Sequence, residues 1–313
     1  MQRIPSTLMI PALLALAATA ALAGQVRINV ASNLYSPSSA TINLGDHAVW
    51  VWTSGFHSVS SGSLVTGALD GIFDNGTIVS NGLYSWKSAT QGALTYYCQQ
   101  HGTGMGATLN VVASGASVSD FRITKVQFGN TGGMDFVEIA NIGPAAGNLG
   151  MYRLRVSGGS TITLRKAPTN LDLSVPSGRR VVIYIHRSGA STDTSVYVPS
   201  VLALPTTGSL ALYVPSTGNT ALSATDQMID YVSWGAGGQE NEATAVSAGF
   251  WTTNAAIQNV AAGHTIAFCG AQGGQYGVNH WSEITTPNFG VSSADCTTPA
   301  IPTSWGRIKT LYR

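Results

Sequence analysis

The sequence predicts an all-β protein with many turns. Short apolar runs are separated throughout by turn-forming residues, among them 36 Gly and 12 Pro, and such a composition is typical of chains built from short strands. Apolar and polar residues alternate in FRITKVQF and RVVIYIHR, as expected for antiparallel strands with one face on a core. A sustained helical period is missing, and the stretch GFWTTNAAIQNVAAG (residues 249–263) is the one candidate for a helix.

Residues 1–23 have the pattern of a secretory signal peptide. Arg3 precedes an apolar stretch, and the segment ends in the A-x-A motif Ala21-Leu22-Ala23, which predicts cleavage after Ala23. A membrane anchor is the alternative, but the stretch is short and Pro11 interrupts it. No later segment approaches the ~20 apolar residues that span a bilayer. We therefore expect an exported protein without a transmembrane helix in its mature chain, located in the periplasm, at the cell surface or outside the cell.

The strand pattern after the signal peptide divides into two sets. Residues 24–113 contain six runs of five to eight residues and predict a small β-sandwich or barrel. Residues 114–119, SGASVS, are small and polar and predict a linker. A second antiparallel set occupies residues 120–296. The remaining residues, 297–313, form a tail that is either a sorting or anchoring signal or a terminal segment docked on the second set.

The three cysteines are Cys98, Cys269 and Cys296. An odd number in an exported protein leaves one thiol to explain. Cys269 and Cys296 lie in the same region and are a possible disulfide pair, which would leave Cys98 as the free thiol. Because a free thiol is a liability in an oxidising compartment, a bound metal is one way to occupy it.

The segment YYCQQHGTGMGATLNVV (residues 96–112) carries three soft or borderline metal ligands within eight residues: Cys98, His101 and Met105. Upstream, His57 follows a strand-like run in a Gly- and Ser-rich turn. Taken singly, each residue is more often core filler or a turn residue. A thiolate and two imidazoles with a distant axial sulfur form the type of site that holds copper for electron transfer. The four residues together predict one type 1 copper ion.

Two segments of the first set resemble a known family. YSPSSATINLGDHAVWVWTSGFHSV (residues 35–59) and YYCQQHGTGMGATLNVV resemble the corresponding motifs of cupredoxins of the plastocyanin and pseudoazurin kind. The resemblance covers residues 24–113 and implies a Greek-key β-sandwich. It also implies that His57, Cys98, His101 and Met105 are the copper ligands.

The second set resembles the lamin-tail domain. The segments that carry the resemblance are DFVEIANIGPAAGNLGMYRLRV, VPSGRRVVIY, DQMIDYVSWG and HWSEITTPNFG. This resemblance implies an immunoglobulin-like β-sandwich over residues 120–296 and, by analogy alone, a role in adhesion or scaffolding.

These observations favour an exported electron-transfer module that exchanges electrons with an unidentified redox partner protein. The second domain would attach this module to a surface or partner. We expect no enzymatic turnover, because the centre has no open coordination position and no acid–base pair. A net charge of +1, from 15 basic and 14 acidic residues, gives no reason to expect nucleic acid as a partner. The alternatives are a copper storage or delivery protein and a structural cell-surface protein without a redox partner.

Overall fold

In a computed structural model, the regular secondary structure of the described residues is almost entirely β-strand, and this confirms the all-β prediction. The structure describes residues 24–76, 82–116, 118–129, 135–167, 172–215, 222, 228–258, 260–270, 276–284 and 288–290. The predicted signal peptide, Cys296 and the tail 297–313 lie outside the described residues.

Nine strands between residues 25 and 112 form a first sandwich. They are β1 (Gln25–Ala31), β2 (Leu34–Ser36), β3 (Ser39–Asn43), β4 (His47–Trp52), β5 (Ser60–Gly62), β6 (Leu69–Asp74), β7 (Gly82–Lys87), β8 (Gly92–Cys98) and β9 (Gly102–Val112). The strand order is β2-β1-β4-β7 in one sheet, called sheet A here, and β3-β9-β8-β5-β6 in the other. The pairs β1–β4 and β3–β9 are parallel, and the other pairs are antiparallel.

An aromatic cluster fills the centre of the first sandwich. Trp50 is fully buried, and its ring lies 5.4 Å from that of Tyr96, in an edge-to-face arrangement. In β9 every second residue from Met105 to Val111 is buried, which is the alternation expected of a strand with one face on a core. The metal loop predicted from the sequence is therefore anchored directly on this core.

Twelve further strands form a second sandwich. They are β10 (Phe121–Gln127), β11 (Asp135–Asn141), β12 (Gly147–Asn148), β13 (Arg153–Val156), β14 (Ser160–Thr163), β15 (Ser174–Val175), β16 (Arg180–Ile185), β17 (Ser195–Val198), β18 (Gly208–Tyr213), β19 (Met228–Trp234), β20 (Thr265–Phe268) and β21 (Trp281–Ile284). The sheets run β17-β16-β11-β10-β20-β21 and β14-β13-β18-β19, with a short ribbon β12-β15.

Helices are few and short in the described residues. They are α1 (Glu242–Ser247) and two 3₁₀ turns, Leu149–Met151 and Val278–His280. None of them has the length and apolar character that a bilayer crossing requires. The helix expected within residues 249–263 is wrong for the described part of that stretch, which forms turns. Phe250 and Trp251 are buried against the second core, and Asn254 adopts a left-handed φ of 58°, a conformation that interrupts a helix.

The two sandwiches meet along a seam formed by the outer face of sheet A. Val49, Val51 and Leu83 belong to the same buried cluster as the core of the second sandwich. The N–H of Gln25 donates to the carbonyl of Ser119 over 3.0 Å, just before β10 begins. Because β4 is buried along its whole length, sheet A is covered on both faces here.

Candidate metal centre

Three side chains predicted as ligands converge at one end of the first sandwich. His57 Nδ1 lies 3.2 Å from His101 Nδ1, which lies 3.3 Å from Cys98 Sγ. One potential ligand atom from each residue lies within 4.8 Å of the others, and no other such group of three occurs among the described His, Cys, Asp and Glu residues. The structure thus brings His57 close to Cys98 and His101, which lie 41 and 44 positions later in the sequence, as a ligand set requires.

The β8–β9 connection positions Cys98 and Met105. Cys98 ends β8 and pairs with Gly102, whereas the preceding Tyr97 pairs with Gly106. Residues 103–105 therefore bulge out between these two pairs, and such bulges re-aim side chains. Met105 is 2% exposed and belongs to the core cluster that contains Cys98. The fourth predicted ligand is thus buried beside the strand end that carries the thiol.

His57 lies in the loop between β4 and β5 and is held by its backbone. The indole N–H of Trp52, at the end of β4, donates to the His57 carbonyl over 3.1 Å. Gly55 has a left-handed φ of 76°, and a Cβ at this position would lie 2.5 Å from His57 Nε2. The loop therefore needs glycine both for its conformation and for room beside the imidazole.

The thiol of Cys98 is fully buried and accepts a hydrogen bond. The backbone N–H of Ser58 donates to Cys98 Sγ over 3.3 Å. The Ser58 hydroxyl accepts the N–H of Gln99 over 2.7 Å, and the phenol of Tyr35 donates to the Ser58 carbonyl over 2.5 Å. Ser58 consequently ties the His57 loop to the Cys98 loop. Sequence reasoning missed this residue, although its place directly after a predicted ligand was a usable signal.

The two imidazoles have different surroundings. Burial lowers the pKa of His57, the neighbouring His101 lowers it further, and a hydrogen bond to the Ser54 backbone partly opposes the shift. A neutral imidazole keeps a lone pair for a metal. His101 is exposed and, with His57, lines a surface cleft of about 610 Å³.

The donor set fits a soft or borderline transition metal such as copper. It consists of one buried free thiol and two imidazole nitrogens that face each other at hydrogen-bonding distance. Two neutral Nδ1 atoms can satisfy each other only if one carries a proton, whereas one metal ion can accept both lone pairs. Thiolate and imidazole together favour copper or zinc over hard cations.

Cys269 does not contribute to this centre. Cys269 is disulfide-bonded, and its predicted partner Cys296 lies outside the described residues. Cys98 is the free cysteine of the described chain, in agreement with its predicted role as the remaining thiol.

Comparisons with known proteins match only part of the chain. No family model and no curated protein matches it. Similar solved structures include a purple cupredoxin from Nitrosopumilus maritimus, 19% identical over 27% of this chain and 97% of that chain with a TM-score of 0.24. Plastocyanin from Dryopteris crassirhizoma is 20% identical over 28% and 99%, with a TM-score of 0.23. An oxidised amicyanin variant is 19% identical over 28% and 80%, with a TM-score of 0.24. The lamin-tail resemblance of residues 120–296 stays a prediction.

Proposed function

We propose that this protein is an exported type 1 copper protein that transfers single electrons through a centre held by His57, Cys98, His101 and Met105. The observation that supports this best is the approach of one nitrogen from each of His57 and His101 and the Cys98 Sγ to within 4.8 Å of one another. Copper held by these residues would supply a one-electron couple between Cu(I) and Cu(II).

The protein's own residues prepare the centre for rapid electron transfer. Cys98 is buried, so water is kept from the thiolate, and the Ser58 N–H stabilises negative charge on the sulfur. Both loops that carry donors are fastened to the aromatic core, His57 through Trp52 and Cys98 through β8. Donors held in one arrangement need little reorganisation when the charge at the centre changes.

His101 is the proposed point of electron entry and exit. It is exposed, whereas His57 and Cys98 are buried. Phe56 is 66% exposed and lines the same cleft as His101. An unidentified redox protein that covers this cleft would bring its own centre close to the exposed imidazole.

We further propose that the protein carries electrons without turning over a substrate. Four protein donors around one ion would leave no open coordination position. The second sandwich is proposed, from its lamin-tail resemblance alone, to attach the centre to a surface or partner.

The proposal is tested by adding Cu(II) to the mature full-length protein and recording visible and EPR spectra. An intense thiolate-to-Cu(II) band with a narrow copper hyperfine splitting is expected, at one copper per chain. Cys98→Ser should lose the band, and Met151→Leu, a change at a buried methionine of the second sandwich, should keep it. A pale, ordinary Cu(II) spectrum from the native chain would refute the type 1 centre.

Voltammetry of the copper-loaded protein separates electron transfer from storage or delivery. A reversible one-electron wave supports the proposed function. Tight binding of Cu(I) without a reversible wave would support a carrier instead, and failure to bind copper would support a structural surface protein.

A further inference from the structure

A buried cluster of charged side chains lies at the seam between the two sandwiches. Asp120 and Arg122 flank the start of β10, and Asp230 lies on β19; each is 5% exposed. Arg122 Nε is 3.9 Å from Asp120 Oδ1, and Arg122 Nη1 is 3.9 Å from Asp230 Oδ1. One guanidinium therefore faces two carboxylates, so the cluster has an excess negative charge when all three groups are ionised.

The cluster extends across the seam to the first sandwich. Asp46 precedes β4, is 1% exposed, and accepts the N–H of Gly24 over 2.7 Å. Its charge interacts unfavourably with that of Asp120. Like charges at buried positions repel strongly because the surroundings screen them poorly. Ionisation of Asp120 thus places repulsion where the two sandwiches join.

Asp120 has little hydrogen bonding to compensate its charge. Its Oδ2 is buried and has no hydrogen-bond partner in the described part of the chain, and the same holds for Arg122 Nε and Nη2. The Arg122 guanidinium lies 3.8 Å from the centre of the Tyr276 ring and is held there away from an ideal two-pronged pairing. By contrast, Asp230 accepts the backbone N–H groups of Ile123 and Tyr231.

We propose that this cluster links protonation to the contact between the two sandwiches. Uptake of one proton stabilises the contact at the seam, and release of the proton weakens it. This role is independent of the copper centre. The titratable and charged groups that interact with Asp120 include Asp46, Arg122, Tyr152, Asp230 and Tyr276.

The pKa shifts of the Asp120 and Asp230 carboxyl groups determine whether the seam is stabilised at low or at high pH. Burial raises the pKa of Asp120 to about 7, with Asp230 and Asp46 adding to the rise and Arg122 opposing it. Burial likewise raises the pKa of Asp230 to about 6. A group with a raised pKa holds its proton more tightly in the folded state, so stability falls as pH rises through that pKa. The seam is therefore stabilised fully only below about pH 4, the ordinary pKa of an aspartate, and the stabilisation is lost as the pH rises through about 7.

Hydrogen exchange at the Gln25 amide, which spans the seam, tests the proposal. Exchange corrected for its intrinsic pH dependence should accelerate about tenfold between pH 6 and pH 8, the change expected for one proton with a pKa near 7. Asp120→Asn, which mimics the protonated group, should remove most of this acceleration. Asp193→Asn, at a partly exposed ion pair with Lys166, should retain it.

Two results would overturn the proposal. One is a native chain whose corrected exchange at Gln25 does not change between pH 6 and pH 8. The other is an Asp120→Asn chain whose exchange accelerates as much as that of the native chain. Asp46→Asn provides a second variant on the opposite side of the seam, and it should reduce the acceleration without removing it.

Discussion

The backbone N–H of Ser58 points at the sulfur of Cys98, 3.3 Å away. Ser58 directly follows one predicted ligand, and Cys98 is another, so a single hydrogen bond ties the two loops of the metal centre together. The Ser58 hydroxyl adds a second link, because it accepts the N–H of Gln99. These two hydrogen bonds therefore fix the two loops of the candidate centre relative to each other, as a preorganised site requires.

Replacing Ser58 by alanine should weaken this link. Ser58→Ala keeps the N–H bond to sulfur but removes the acceptor of the Gln99 N–H, and one such part-buried hydrogen bond contributes about 0.5–1.5 kcal/mol. Urea unfolding of the copper-free protein measures the loss. Ser39→Ala is a suitable control, because Ser39 is exposed and its hydroxyl accepts a 3.3 Å hydrogen bond from the exposed Asn110 side-chain amide. Equal stability of the two variants would contradict the role assigned to Ser58.

Met105→Leu tests the fourth predicted ligand. Leucine has nearly the volume of methionine, so the copper-free protein should lose less than about 1.5 kcal/mol. Removing the thioether withdraws an axial donor from Cu(II), so the reduction potential of the copper-loaded protein should rise. Met151→Leu, at a site that is also 2% exposed, should leave the potential unchanged. If Met105→Leu also leaves it unchanged, Met105 is core filler only.

The candidate metal centre could be predicted because three of its four predicted ligands are close in sequence. Cys98, His101 and Met105 share one strand–turn–strand segment, so local spacing alone indicated a site. The bulge at residues 103–105 could not be predicted, since it depends on how β8 and β9 pair. His57 lies in a second loop, and local spacing could not show that this loop reaches Cys98 and His101. The structure places the His57 imidazole beside that of His101.

The seam was only partly visible in the sequence. The run HAVWVW has apolar residues at both inward and outward positions, a sign of a strand buried on both faces, and β4 is indeed buried throughout. Which surface covers its outer face could not be predicted. The cluster of Asp120, Arg122 and Asp230 was hidden for a similar reason, because it joins residues about 110 positions apart.

Val51→Ala tests the seam as a part of the hydrophobic core. Val51 is 2% exposed and packs with the second core, so losing two methyl groups should cost about 2 kcal/mol, including the cavity left behind. Val65→Ala removes the same atoms from a side chain that is 94% exposed and should cost less than about 0.5 kcal/mol. Thermal unfolding followed by calorimetry measures both. Comparable small losses would show that the seam contributes little to stability.

A buried ion pair in the second sandwich joins β10 and β11 to residues 288–290. Lys125 and Glu138 are both fully buried, with Nζ and Oε2 3.5 Å apart. Glu138 also lies 3.3 Å from the Arg180 guanidinium and accepts the N–H of Gly290 over 2.7 Å. Lys125 in turn donates to the carbonyl of Asn288. The pair therefore fastens residues 288–290 to β10 and β11.

The two partners should be unequal in their effect on stability. Glu138→Gln leaves the buried Lys125 and the partly buried Arg180 without their carboxylate and should cost about 3–5 kcal/mol. Lys125→Met leaves Glu138 paired with Arg180 and should cost less. Lys166→Met, at a partly exposed pair with Asp193, should cost no more than about 1 kcal/mol. Guanidinium chloride unfolding at pH 7 measures all three variants. A Lys125→Met variant less stable than Glu138→Gln would show that Lys125, and not Glu138, holds residues 288–290 in place.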